Sequence, residues 1–181
     1  MESYSRLKFL VDYGLNLFND EEAKKLFHLY QFSEECYRFL LLQSTVEVKE
    51  DEENNCFKFL NFSSNEDEFD IIEFNEDSIF SPYVFFFASN GGGKYYGEIL
   101  SGGHKGRIIC IDLNQYSDID SLEELLEDIY LDNSIDSLDQ EYIIDLLLQI
   151  DVQNFTLQSV SFESFVNLVF KNYDTQTAIY H

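Results

Sequence analysis

The chain has 181 residues, close to one domain of roughly 150 residues, and its 45% hydrophobic and 17% aromatic content excludes wholesale disorder. Eleven Lys and Arg stand against 35 Asp and Glu, a net charge of −24. A polyanion of that density repels phosphate backbones and anionic lipid, so direct nucleic-acid binding through a basic surface is excluded and a membrane surface is disfavoured.

Leu7, Leu10, Val11 and Phe18 fall on helical spacing and predict a helix over residues 5–18. Asp20 can cap a second helix, with Glu21 and Glu22 at its positive end and Ala23, Leu26, Phe27 and Tyr30 on one face. Ser33 precedes Glu34, Glu35, Cys36, Phe39 and Leu40, which read as a third helix. The period then changes. Residues 44–49 (STVEVK) and 56–62 (CFKFLNF) alternate as strands around a polar turn at 51–55, and residues 69–74 (FDIIEF) read as another strand.

After Pro82, residues 83–89 (YVFFFAS) predict a central strand buried on both faces. Residues 94–100 (KYYGEIL) and 107–113 (RIICIDL) complete an antiparallel meander, because the connections are too short for parallel crossovers. Helices return with capping-box spacing at Ser121 and Glu124, then with amphipathic stretches over 138–150 and 161–172. The expected class is α+β: an antiparallel sheet of about five or six strands, with helices at the N-terminus and C-terminus of a single domain over residues 1–181.

The charge is unevenly placed. Residues 46–80 carry a net −10 and residues 114–156 a net −12, and no Lys or Arg occurs between Arg107 and Lys171. Ordinary surfaces intersperse both signs, because like charges repel and weaken the compact state. Such a stretch suits either a solubilising face or a docking surface for a basic partner. The candidate acidic contacts are Glu123, Glu124, Glu127, Asp128 and Asp132, then Glu50, Asp51, Glu52 and Glu53. Tyr116 and Tyr130 are candidate aromatic anchors, and equally candidates for the core.

Seven of the eight glycines lie between residues 91 and 106. Asn90-Gly91-Gly92-Gly93 and Ser101-Gly102-Gly103-His104-Lys105-Gly106 each join two strands and read first as turns. A phosphate loop would need Ser or Thr and a helix after Gly93-Lys94, whereas Tyr95 and a strand follow.

Phe87-Ala88-Ser89-Asn90-Gly91-Gly92-Gly93, then Tyr95, Tyr96 and Gly97, then the strand from Ile108 to Leu113, resembles the central motif of the SUKH superfamily, which includes the Smi/Knr-type proteins. Ser161-Phe162-Glu163-Ser164-Phe165 resembles the Ser-Phe pair that opens the last helix of that group. Ser81-Pro82 stands where the group has a Leu-Pro lead-in, and the acidic segment at about 114–156 is an added helical insertion. The resemblance implies a non-catalytic α+β domain. In bacteria this would be an immunity-type protein that binds and neutralises a polymorphic toxin, often a nuclease. The alternative is a protein-interaction scaffold or regulatory module of the same fold.

No nucleophile–base–orienter set is recognisable, so no catalytic residue is expected. Cys36, Cys56 and Cys110 are widely spaced and form no zinc pattern. His28, His104 and His181 have no second ligand at metal spacing, and the EF-hand echoes from Asp112 and Asp132 lack the required glycine, with Ser117 and Ser137 in its place. No metal and no cofactor are expected. The start at Met1-Glu2-Ser3 has no basic leader and no apolar run approaches the roughly 18 residues of a membrane span, so a cytoplasmic location is expected.

Overall fold

In the computed structural model, residues 20–42, 46–49, 56–60, 70–129, 140–172 and 177–179 are described. The helix expected over residues 5–18 lies outside them, as does the turn at 51–55. Helix α1 (Asp20–Tyr30) buries Ala23 and Leu26 on one stripe, as the 3.6-residue period requires. It ends where Gln31 adopts a left-handed backbone (φ 52°) and donates its N–H to the Phe27 carbonyl. Helix α2 (Glu34–Leu42) follows at once, with Ser33 Oγ accepting from the Cys36 N–H and with Cys36, Phe39 and Leu40 turned inward.

The sheet is antiparallel throughout. Its centre is four strands of five or six residues: β3 (Val84–Ser89), β4 (Lys94–Ile99), β5 (Ile108–Asp112) and β6 (Phe155–Ser159), adjacent in the order β6-β5-β4-β3. Three shorter strands, β1 (Val46–Lys49), β2 (Cys56–Phe59) and β7 (Thr177–Ile179), continue it beyond β3 as β2-β1-β7. The expected count of five or six is therefore corrected to a four-stranded centre with these extensions.

Two errors of opposite sign account for the difference. The strand expected at 69–74 is helix α3 (Ile71–Asp77): Asp70 Oδ1 accepts from the N–H groups of Ile72 (2.7 Å) and Glu73 (3.0 Å), and this cap overrides an apparent alternation. Strands β6 and β7 were hidden among helices, β6 because FTLQS has only two large apolar residues. The remaining described elements are a 3-10 turn at Leu113–Tyr116, helix α4 (Leu122–Ile129), a 3-10 turn at Gln140–Tyr142, helix α5 (Ile143–Ile150) and helix α6 (Phe162–Asn172).

Strand β3 is the hub. All six of its residues are buried, and its phenylalanines alternate between two layers. Phe85 stacks on Phe32 at 4.0 Å, and Phe87 meets Phe162 and Phe165, so one face carries the connection between α1 and α2 together with α6. Phe86 meets Phe74 of α3 edge-on, at 5.4 Å, on the opposite face. Where the β2 ladder ends, the side chain of Asn75 takes its place: Oδ1 accepts from the Phe86 N–H and Nδ2 donates to the Phe86 carbonyl, both at 2.8 Å. Gly97 faces β3 so closely that a Cβ there would sit 2.4 Å from Val84 Cγ1 and 2.8 Å from the Phe85 carbonyl oxygen.

Candidate functional site

The acidic segment after β5 is anchored at both glycine turns. Asn90 Oδ1 accepts from the N–H groups of Gly92 and Lys94, which shapes the first turn. Asn114 Nδ2 then donates to the Gly92 carbonyl, and the Leu113 N–H to that of Gly93, locking the 3-10 turn onto it. Gly93 has φ of 92° and no room for a Cβ beside Asn114, so glycine is required there. Gly91 closes the same turn by donating to Ser89 Oγ.

The second glycine turn is docked too, and His104 with it. Asp145 of α5 accepts from the Gly103 N–H at 2.6 Å and pairs with His104 Nδ1, while Ser101 Oγ donates to the Glu141 carbonyl. The excursion between β5 and β6 is thus held to the sheet at two places, and α4 projects from a fixed base.

Helix α4 is strongly amphipathic. Leu122, Leu125 and Leu126 are buried; Glu123, Glu124 and Glu127 are exposed on the outer side. Ser121 Oγ accepts from the Glu124 N–H and Glu124 Oε2 from the Asp120 N–H, so the expected capping box forms with its return bond one residue early. Glu124 is therefore partly engaged in the cap, whereas Glu123 and Glu127 are not.

Two grooves flank the turn at Ser78 and Ile79. One, of about 570 Å³, lies between α3 and the 3-10 turn and brings Asp70, Glu73 and Asp77 over Phe74, Leu113 and Ile119. The other, of about 730 Å³, opens where β3 begins and β4 ends; Tyr30, Glu76, Ser81, Tyr83, Asp120 and Glu123 line it. Burial raises the phenols of Tyr30 and Tyr83, with the carboxylates of Glu76 and Glu123 respectively adding to the effect. Among the described residues, no Lys or Arg lies within 4.0 Å of Glu76, Asp120, Glu123 or Glu127.

The structure thus brings Glu123 together with Glu76 and Asp120, two residues the sequence reading did not select. The strand expected at 69–74 ends before Glu76, and nothing in the sequence places that residue beside Asp120 and Glu123. Asp128 follows in α4 by backbone. Tyr130, Asp132, Glu50, Asp51, Glu52 and Glu53 lie outside the described residues.

Tyr116 belongs to the core rather than to an anchor: it is 8% exposed, packs against Phe80 and Phe155, and directs its hydroxyl to Asp151. Cys36 and Cys110 are buried free thiols, and burial holds Cys110 up at about 11, so it stays protonated and unreactive at neutral pH. Among the described residues, no three His, Cys, Asp or Glu side chains converge on a metal-sized site, and no helix is long and apolar enough to cross a membrane.

The chain matches no family model, no curated protein and no solved structure.

Proposed function

We propose that this is a non-catalytic immunity-type protein of the cytoplasm that binds and neutralises a basic toxin domain, a nuclease, through its acidic surfaces. The observation that carries the reading is the set of carboxylates on α3, just before α4 and on α4 itself. Glu76, Asp120 and Glu123 line one groove, Glu127 lies one turn further along α4, and none has an ion-pair partner among the described residues, although mutual repulsion works against gathering them there. A cationic partner turns that repulsion into attraction.

A nuclease has to attract polyphosphate, so its active cleft is cationic, and a compact polyanion is suited to occupy that cleft or its rim. Charges at the rim accelerate the encounter, while buried aromatic and apolar contacts supply most of the affinity. The SUKH-like glycine motif at residues 87–97 and the Ser161-Phe162 helix start support the same reading. In this fold the motif docks the acidic excursion, which gives those glycines a structural part in presenting α4.

Binding of the full chain to a panel of purified basic nuclease domains tests the proposal. The expected result is tight association with at least one, inhibition of its cleavage, and an association rate that falls steeply with salt. If none binds, or binding is equally firm in concentrated salt, the reading fails and a scaffold role of the same fold takes its place.

A further inference from the structure

We propose that the outer edge of β6 docks a second copy of this chain, which adds its own β6 antiparallel across a two-fold axis at Leu157. This goes beyond the function proposed above and does not depend on it.

Strand β6 ends the sheet on one side and pairs only with β5 among the described strands. The Asp112 N–H donates to the Asn154 carbonyl, and in the same register Cys110 lies opposite Thr156. Alternate residues of an antiparallel ladder turn their backbone groups to the neighbouring strand, so Asn154 and Thr156 face β5 while Phe155 and Leu157 face outward. The Phe155 N–H is taken by the Asp151 carbonyl. The Phe155 carbonyl and both backbone groups of Leu157 meet no partner among the described residues. Such a row is a template for another strand.

The features that usually blunt an edge are scarce here. Residues 152–162 (VQNFTLQSVSF) contain no Asp, Glu, Lys, Arg or Pro, although Asp151 and Glu163 flank them. Thr156 is exposed, and Val152 and Val160, 63% and 69% exposed, bracket the strand. The bulge in the pairing with β5 falls at Gln158, after Leu157, so it shortens the available ladder without closing it.

Charge selects the occupant. Two molecules of net −24 repel wherever their acidic surfaces meet, and an uncharged strip is where their backbones can approach. A basic partner finds no carboxylate on that strip. An antiparallel edge is also complementary to itself: Leu157 of each copy donates its N–H to the Leu157 carbonyl of the other. The same pairing brings Val160 of each copy to the end of the strand where Val152 of the other lies. One short strand per copy covers less than the roughly 1,200 Å² of a stable interface, so the dimer is weak, with a Kd on the order of 100 µM.

The test combines sedimentation and amide hydrogen exchange of the full chain from about 10 µM to about 1 mM, the range that spans such a Kd. A monomer–dimer equilibrium is expected, with protection of the Leu157 amide rising with concentration while that of Thr156 stays constant. Raising salt from about 50 mM to about 500 mM should tighten the dimer about threefold or more, because screening relieves the repulsion. Association with a nuclease has the opposite salt dependence. Thr156→Glu together with Val160→Glu, both at exposed positions, should weaken the dimer about tenfold or more and leave the urea midpoint near that of the parent.

A monomer at the highest concentration in high salt would overturn the proposal. So would a dimer that the double variant leaves intact. Protection of the Leu157 amide that is the same at every concentration would also overturn it, since the edge would then be covered from within one chain.

Discussion

Glu98 shows how one side chain joins the layers and sets a pH response. It sits near the end of β4, 3% exposed, and accepts from the N–H (2.7 Å) and Oγ (2.6 Å) of Ser33 between α1 and α2. Burial raises its carboxyl from 4.5 to about 7, against the opposing pull of the two Ser33 hydrogen bonds. The folded chain therefore holds this proton more tightly than the unfolded chain. Its contribution to stability is complete below pH 4.5 and is lost as pH rises through 7. Glu98→Gln keeps an acceptor for the Ser33 N–H and removes the titration. Urea midpoints should show the variant gaining on the parent between pH 5 and pH 8, by on the order of 2–3 kcal/mol; a constant difference across that range would refute the account.

Asn75 is a second residue whose role is visible only in the fold. Its amide completes the hydrogen bonding of Phe86 where no strand reaches. Asn75→Ala would leave a buried N–H and a buried carbonyl unpaired, and a loss of about 2–4 kcal/mol is expected from chemical denaturation. A loss below about 1 kcal/mol would mean that water replaces the amide.

At the scale of elements, the docked excursion is the main device. Glu141 of the turn at Gln140–Tyr142 and Asp145 of α5 meet the second glycine turn, while Asn114 of the turn at Leu113–Tyr116 meets the first. These contacts are polar and local, so they should open as a unit. Asp145→Ala is expected to speed hydrogen exchange at Gly103 and along α5 while sparing β3 and β4. Unchanged exchange at Gly103 would show that backbone geometry alone holds the turn.

The molecule combines an apolar sheet centre, covered on both faces at β3, with a surface dominated by negative charge. Sequence order brings the two together: β5 and β6 are neighbours in the sheet, so the acidic residues between them must leave and return on one side. Electrostatic steering depends on that concentration. Glu123→Lys, Glu124→Lys, Glu127→Lys and Asp128→Lys in one variant should slow association with a basic partner by about tenfold or more, whereas reversing Glu163 should have little effect. Stopped-flow rates across a salt series decide this, and equal slowing from both changes would take α4 out of the interface.

Local sequence was sufficient wherever neighbours along the chain determine the energy. The helical stripes of α1, α2 and α6, the capping box of α4, the buried run of β3 and the turn at Asn90 all rest on contacts within a few residues, and all were legible beforehand. The charge asymmetry was legible as well, being a property of composition. What the tertiary structure alone decided depends on partners far along the chain. Residues 71–77, capped locally by Asp70, are held on the flank of β3 by Asn75 and Phe74, and Tyr116 is withdrawn into the core by Phe80, Phe155 and Asp151. The groove that joins Glu76, Asp120 and Glu123 across 47 residues has no one-dimensional signature, because the energy of such a meeting resides in distance through space, which a string of residues does not contain.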